Sequence, residues 1–427
     1  MALRAGGRNG VRGRVSLRAL TLTTVQPLHV ALSSGIFVRH DAISNSIAHK
    51  MQVLSELEAD GWPVRATVFT HGTDSHDPRV RKVDTVQDAL RLPEFSEADV
   101  HFFEFGIAYP LFNAVFVLDR RLPQVAVYHN ITPPHLVLDR LGRTAVEAAL
   151  VQKHNLDRFD HVSCVSEMNF QDLLRFGIPA ERMSVLPLPA ALEVGGPRLE
   201  APTARGRGPV QLLYVGRFVH AKGVLDLLEA VRRLRASGVG QFQVTLAGNV
   251  QQSSREVVRQ LYHAERTAPT SGVVRVVATP SVPQLTRLYE RADAVVLPSY
   301  HEGYCVPVVE ALSMGVQVIA SDAGNIPNVL GGLGPMVPAG HVDALADAIG
   351  SWIGRVFAYR SSQRDLLHPT ASGDMADGEW RARVRRHVDG FSFAAYRRGF
   401  LDLLQRALSI RPGGAPVWLA DAAGALV

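Results

Sequence analysis

Cysteine and lysine are both scarce in this chain. Cys164 and Cys305 are the only cysteines among 427 residues, so there is no disulfide framework and no Cys-x-x-Cys pair to hold zinc. A reduced, cytosolic compartment is the simplest setting. Of 45 basic residues only Lys50, Lys82, Lys153 and Lys222 are lysines. Arginine has taken nearly every generic surface role, so a lysine beside a glycine-rich turn carries information. No apolar run approaches the ~18–20 residues of a membrane-spanning helix. The best candidate, Val15–Ser33, is broken by Arg18, Gln26, Pro27 and His29, and no clean small-residue cleavage site marks a secretory signal.

Missing motifs exclude further classes. There is no G-x-x-x-x-G-K-[ST], which argues against a P-loop NTPase, and no G-x-G-x-x-G, which weakens a dinucleotide dehydrogenase. Neither a G-x-S-x-G elbow nor an H-E-x-x-H zinc pair occurs. No two aspartates are separated by one residue, so the common Asp-x-Asp metal clamp for a sugar nucleotide is missing too.

What remains is an ordinary globular composition, 47% apolar and 20% charged, of a length that suits two domains. The net charge of +5 is uneven: the first 40 residues hold six arginines and no acid. Without interleaved aromatics before Phe37 or a reader motif, nucleic acid is not expected as a partner. A solvated, flexible arm is the plain reading, and an anionic membrane surface is the partner such an arm would suit.

Glu193–Pro209 packs four glycines and three prolines into 17 residues and reads as a linker. On both sides, short apolar runs alternate with helical patterns. Strands are expected at Val64–Thr70, Val100–Phe105, Gln124–His129 and His161–Val165, then at Gln211–Val215, Gln243–Ala247, Val273–Ala278, Ala294–Pro298 and Gln317–Ala320. Ala42–Asp60 and Gly142–Asp157 read as helices. This alternation predicts an α/β protein with two doubly wound parallel sheets, whose ligands bind beyond the carboxyl ends of the strands.

Two turns there carry chemistry. In LLYVGRFVHAKGVLDLL (Leu212–Leu228) a strand ends at Gly216, and Gly223 opens a helix. Free amides at such a turn suit an anion, and Arg217 and Lys222 add a planar fork and a mobile point charge. The plain alternative is a pair of solvated turn residues. In LPSYHEGYCVPVVEALSMG (Leu297–Gly315) a strand ends at Pro298, and Pro307 is placed to open a helix. Glu302 and Glu310 flank the helix start, a poor arrangement for a bare anion but a good one for hydroxyl groups beside phosphates. A dipole partner at the helix N-terminus is the bland reading of Glu310.

VGRFVHAKG (Val215–Gly223), the Glu-x7-Glu pair and VQVIASDAGNIPNVL (Val316–Leu330) resemble the nucleotide-sugar-dependent, retaining group 1 glycosyltransferases of family 4, which have the GT-B fold. The resemblance covers roughly Pro209–Ala348 and is fainter before it, in VSEMNFQDLLRFGIPAERMSVLP (Val165–Pro187). It implies that Arg217 and Lys222 grip the donor diphosphate, Glu310 accepts the ribose hydroxyls, and Glu302 accepts a hydroxyl of the transferred sugar. Amides of Gly303, Tyr304, Cys305 and Val306 would line sugar and phosphates, with the base near Thr279–Ser281. Cys305 stands where the family usually has glycine, and its side chain is expected to crowd the donor sugar. His129, in QVAVYHNITPP, would face donor sugar and acceptor; a core or capping histidine is the alternative.

The resemblance also implies metal-independent transfer with no cofactor, from a nucleoside diphosphate sugar to a saccharide or lipid-linked saccharide. The latter would bring peripheral contact with the inner face of a membrane, in cell-envelope polysaccharide or glycolipid synthesis. The rivals are an epimerase or phosphorylase on the same fold, or a degenerate partner subunit. The expected organisation is a flexible arm (1–24), an acceptor-side domain (25–192), the linker (193–209), a nucleotide-sugar domain (210–390), a helix returning to the first domain (391–410) and a mobile tail (411–427). Asp41 is expected to cap the first helix, and Arg381–Arg386 to be a solvated helix face.

Overall fold

The computed structural model describes residues 26–39, 41–190, 208–362, 365–410 and 414–424. The arm expected at 1–24 lies outside these residues, as does the linker expected at 193–209 apart from Gly208 and Pro209.

The first half builds a seven-stranded sheet, all parallel. Its strands are β1 (Leu28–Phe37), β2 (Val64–Thr73), β3 (Val80–Lys82), β4 (Val100–Phe105), β5 (Gln124–Tyr128), β6 (His161–Cys164) and β7 (Met183–Val185). They lie in the order β3-β2-β1-β4-β5-β6-β7. The second half forms a six-stranded parallel sheet from β8 (Val210–Val215), β9 (Phe242–Gly248), β10 (Val274–Ala278), β11 (Ala294–Leu297), β12 (Gln317–Ser321) and β13 (Met336–Val337). Its order is β10-β9-β8-β11-β12-β13. In both, the order reverses beside the first strand, which is the doubly wound pattern that opens a crevice at the carboxyl ends. Helices cover both faces, so β4, β5, β11 and β12 are buried along their whole length.

The central strand β1 is absent from the strands the sequence predicts. Its ten residues, LHVALSSGIF, place His29, Ser33, Ser34 and Gly35 inside an apolar run, and that interrupts the pattern on which strand prediction depends. The tertiary structure keeps them because His29 Nε2 pairs with Thr67 Oγ1 at 2.9 Å and Ser34 Oγ donates to the Ile36 carbonyl at 2.7 Å. Asp41 caps the first helix, Ala42–Ala59, by accepting from the Ser44 amide at 2.8 Å.

The helix Phe393–Leu408 lies on the first domain. Phe400 packs on Phe102 with ring centroids 5.6 Å apart, and Arg397 reaches Glu56 at 3.5 Å. Part of the stretch expected as a mobile tail is instead a helix, Val417–Gly424. It is held because Leu419 is fully buried and Trp418 stacks on Trp62 at 5.6 Å. The expected solvated face at Arg381–Arg386 holds for Arg383, Arg385 and Arg386, which are exposed, but not for its first residue. Arg381 is buried, with Nε donating to Asp377 at 2.8 Å, and Val384 is core. Among the described residues no helix is long and apolar enough to cross a membrane.

Candidate active site

The loops that follow β8 and β11 are locked together at the carboxyl end of the second sheet. Gly223 makes this possible. Its φ is +64°, and a Cβ there would fall 1.9 Å from the Pro298 carbonyl oxygen, so only glycine lets the two loops touch. The Tyr300 amide then donates to the Ala221 carbonyl at 2.9 Å, and the Tyr300 hydroxyl reaches Asp226 at 2.7 Å.

This contact brings Lys222 to Glu302. Lys222 Nζ lies 2.6 Å from Glu302 Oε2, while Ser299 Oγ donates to Oε1 at 2.8 Å. Both oxygens of Glu302 are therefore held, and the carboxylate has a fixed orientation. Arg217 is exposed on the same loop; among the described residues its side chain makes no hydrogen bond or ion pair. Val306 opens the helix Val306–Ser313 and Pro307 follows it, one position later than expected.

Glu310, on that helix, is buried, and its Oε2 accepts from the Tyr289 hydroxyl at 2.7 Å. Burial pushes its pKa up to about 7, with the Tyr289 hydrogen bond opposing the rise. A carboxyl poised in this way changes charge readily when hydroxyl donors approach. Tyr289 belongs to the helix Val282–Arg291, capped by Ser281, so the same helix begins beside Thr279–Ser281. Thr279 sits at φ +45°, a conformation rarely occupied by a β-branched residue.

The first domain supplies the opposite wall. His129 follows β5 and is placed beside Gly303. A Cβ on Gly303 would lie 2.7 Å from the His129 carbonyl oxygen. Next to it, His301 Nε2 meets Asn130 Oδ1 at 2.6 Å, and Asn130 is itself fixed at φ +81° by Asn169 at 2.8 Å. The Tyr304 hydroxyl donates to the Leu188 carbonyl at 2.6 Å and pins the same loop to the end of the first domain. Lys222, Glu302, Gly303 and the His129 backbone thus meet at one junction of the two domains, with the His129 imidazole turned to the buried Glu104, Glu310 behind the helix start and Arg217 at the edge.

The family model described as "Glycosyl transferases group 1" matches residues 209–354, and "Glycosyltransferase Family 4" matches 97–193, together more than half of the chain. The chain belongs to the group 1, family 4 glycosyltransferases. An MMP alpha-(1->4)-mannosyltransferase of Mycolicibacterium hassiacum is 27% identical over 205 residues, 47% of each chain. A glycogen synthase of Mycobacterium tuberculosis is 30% identical over 233 residues, 53% of this chain and 52% of its own. The chain spans about half the length of these curated relatives. In fold, sucrose-phosphate synthase from Thermosynechococcus elongatus superposes with a TM-score of 0.66 at 20% identity, covering 89% of this chain and 98% of that one. The fold is GT-B.

In this family-4 chain Cys305 adopts the left-handed backbone that glycine favours, with φ +76° and ψ 64°. Its thiol is buried in the core. Burial, with Glu302 nearby, raises the thiol pKa well above its ordinary value, so it is a poor nucleophile.

Sequence reasoning missed Lys50, Glu104 and Tyr289. Two signals were present: Lys50 is one of the four lysines, and Glu104 is a lone carboxylate in the apolar strand VHFFEF. Tyr289 had no signal, because only folding places it under Glu310.

Proposed function

We propose that this protein is a retaining glycosyltransferase that moves a sugar from a nucleoside diphosphate donor to a hydroxyl acceptor in the cleft. The observation that carries the reading is the junction of Lys222, Glu302 and Gly303 with His129 at the facing strand ends of the two sheets. Arg217 and Lys222 take the diphosphate and stabilise its charge as the nucleotide departs, Glu302 orients a sugar hydroxyl, and Glu310 accepts the ribose hydroxyls. Amides of Gly303, Tyr304, Cys305 and Val306 line the donor, and His129 faces the transferred sugar. Catalysis is then positioning and electrostatic stabilisation without a resident metal.

A saccharide or lipid-linked saccharide acceptor fits the same reading, with cell-envelope polysaccharide or glycolipid as product. Contact with the cytoplasmic face of an anionic membrane is supported by the helix Arg140–Gln152. There Leu141 (83% exposed) stands out between Arg140 and Arg143 at the helix start, and Val151 (73%) is exposed at the other end. Failure to co-sediment with anionic vesicles would remove the membrane from the reading.

The deciding experiment is calorimetric binding of UDP, GDP, ADP and dTDP to the wild type and to Glu310→Ala. Micromolar binding of one nucleotide, lost in the variant, fixes the donor class. If none binds, a partner-dependent subunit replaces the free-standing enzyme. Turnover of the donor without an acceptor would point to an epimerase.

A further inference from the structure

Behind His129 lies a charge pair that the proposed reaction has not used. Glu104 is the one charged residue of β4, and its side chain is wholly enclosed. Its two oxygens are shared: Lys50 Nζ lies 2.8 Å from Oε1, and His129 Nε2 lies 2.5 Å from Oε2. Lys50 is enclosed as well, donating to Ser46 Oγ at 2.8 Å and lying 6.0 Å from the ring centroid of Phe400 on the C-terminal helix. The network therefore joins the first helix, β4, the end of β5 and the C-terminal helix to one imidazole.

A buried ion pair is weak evidence for stability, since apolar residues of similar volume serve as well or better. What this pair provides is a fixed acceptor for a histidine at the cleft. The tautomer of an imidazole is set by the hydrogen bond its other nitrogen makes.

We propose that Lys50 and Glu104 are positioning residues for His129, fixing the imidazole as the tautomer protonated at Nε2 and leaving Nδ1 free for a ligand hydroxyl. The functional part of this inference rests on the placement of His129 in the donor site. Burial alone would push the Glu104 carboxyl up, but Lys50 and His129 outweigh it and hold it below its usual range. Lys50 is in turn held charged by Glu104 against its own burial. The other groups facing the network are His49 on the first helix, Tyr109 after β4 and Tyr396 on the C-terminal helix. Across the cleft stand His301, Glu302 and Lys222.

The test is NMR of the full chain labelled with 15N-histidine, with His129 assigned through His129→Gln. In the wild type, His129 should show the Nε2–H tautomer. Glu104→Leu should lose that signature, since no acceptor then faces Nε2. Lys50→Met should leave a mixture of tautomers, because Glu104 is no longer held in place. An unchanged tautomer in both variants would overturn the proposal.

If either single variant fails to fold, Lys50→Met/Glu104→Leu replaces the pair with apolar side chains. A folded double variant with mixed His129 tautomers upholds the proposal, and one that keeps Nε2–H overturns it. With the donor known, the double variant should lose at least about tenfold in kcat while nucleotide affinity stays within about threefold, the split expected when only an acid–base or orienting group is misplaced. The NMR result needs no substrate. Absent nucleotide binding would therefore count against the transferase reading while leaving the outcome for Lys50 and Glu104 intact.

Discussion

Gly303 and His129 meet across the cleft with no room for another side chain between them. A Cβ on Gly303 would stand 2.7 Å from the histidine carbonyl oxygen and 2.6 Å from Asn130 Cβ. Gly303→Ala should therefore push the two walls apart while leaving each domain's core untouched. We expect a thermal midpoint close to wild type and a loss of about 10²-fold in kcat/KM, the cost of misplacing reacting groups by about 1 Å. Wild-type turnover in Gly303→Ala would show that the walls need not close this tightly.

Lys222 is the cation nearest Glu302, at 2.6 Å. Lys222→Ala should lower kcat/KM by about 10²-fold or more, by analogy with removing one oxyanion donor. Lys222→Arg should not restore full activity, because a planar fork cannot replace a point charge in the same space. A change under about threefold in Lys222→Ala removes the residue from the mechanism.

Glu310 links proton uptake to binding and to stability. Its carboxyl is raised from 4.5 to about 7 in the folded chain. Between those values the folded chain keeps a proton that the unfolded chain has released, so stability falls as pH rises through the window. The cost approaches about 3 kcal/mol above pH 7. Glu310→Gln should match wild type in thermal midpoint near pH 4.5 and exceed it at pH 8. Hydroxyl donors favour the carboxylate, so nucleotide binding near pH 7 should release a proton, read as a binding enthalpy that varies with buffer ionisation heat. A buffer-independent enthalpy would rule out Glu310 as the acceptor.

Cys305 holds a left-handed backbone at φ +76°. A β-branched side chain is least tolerated there, so Cys305→Val should cost about 2 kcal/mol in denaturant unfolding. Cys305→Gly should stay within about 1 kcal/mol, since relief of strain offsets the added freedom of the unfolded chain. Equal midpoints for the two variants would mean that the helix start does not need this conformation.

Much of the fold was legible beforehand, since period-two and continuous apolar runs such as VVL and QVIAS read as buried strands without knowledge of their neighbours. Lys222 and the Glu302/Glu310 pair were legible for a related reason: each lies within a few residues of a glycine turn, so local spacing carries the signal. β1 was not legible, because its serines, histidine and glycine interrupt the apolar pattern, and His29 is satisfied only by Thr67, 38 positions away. The helix Val417–Gly424 was missed because the docking of Trp418 against Trp62 is a long-range event.

The sequence alone determined the two doubly wound sheets, the turns at their strand ends and the family, because all three depend on residues close together along the chain. Only the tertiary structure decided that Lys50, Glu104 and His129 form one buried chain, that Tyr289 lies under Glu310, and that Gly303 abuts His129. Those pairs are separated by 54, 25 and 21 positions in the hydrogen-bonded cases and by 174 positions for Gly303 and His129. What brings them together is the burial of two sheets and the returning helix, whose apolar faces must be covered before any charge pair can be enclosed.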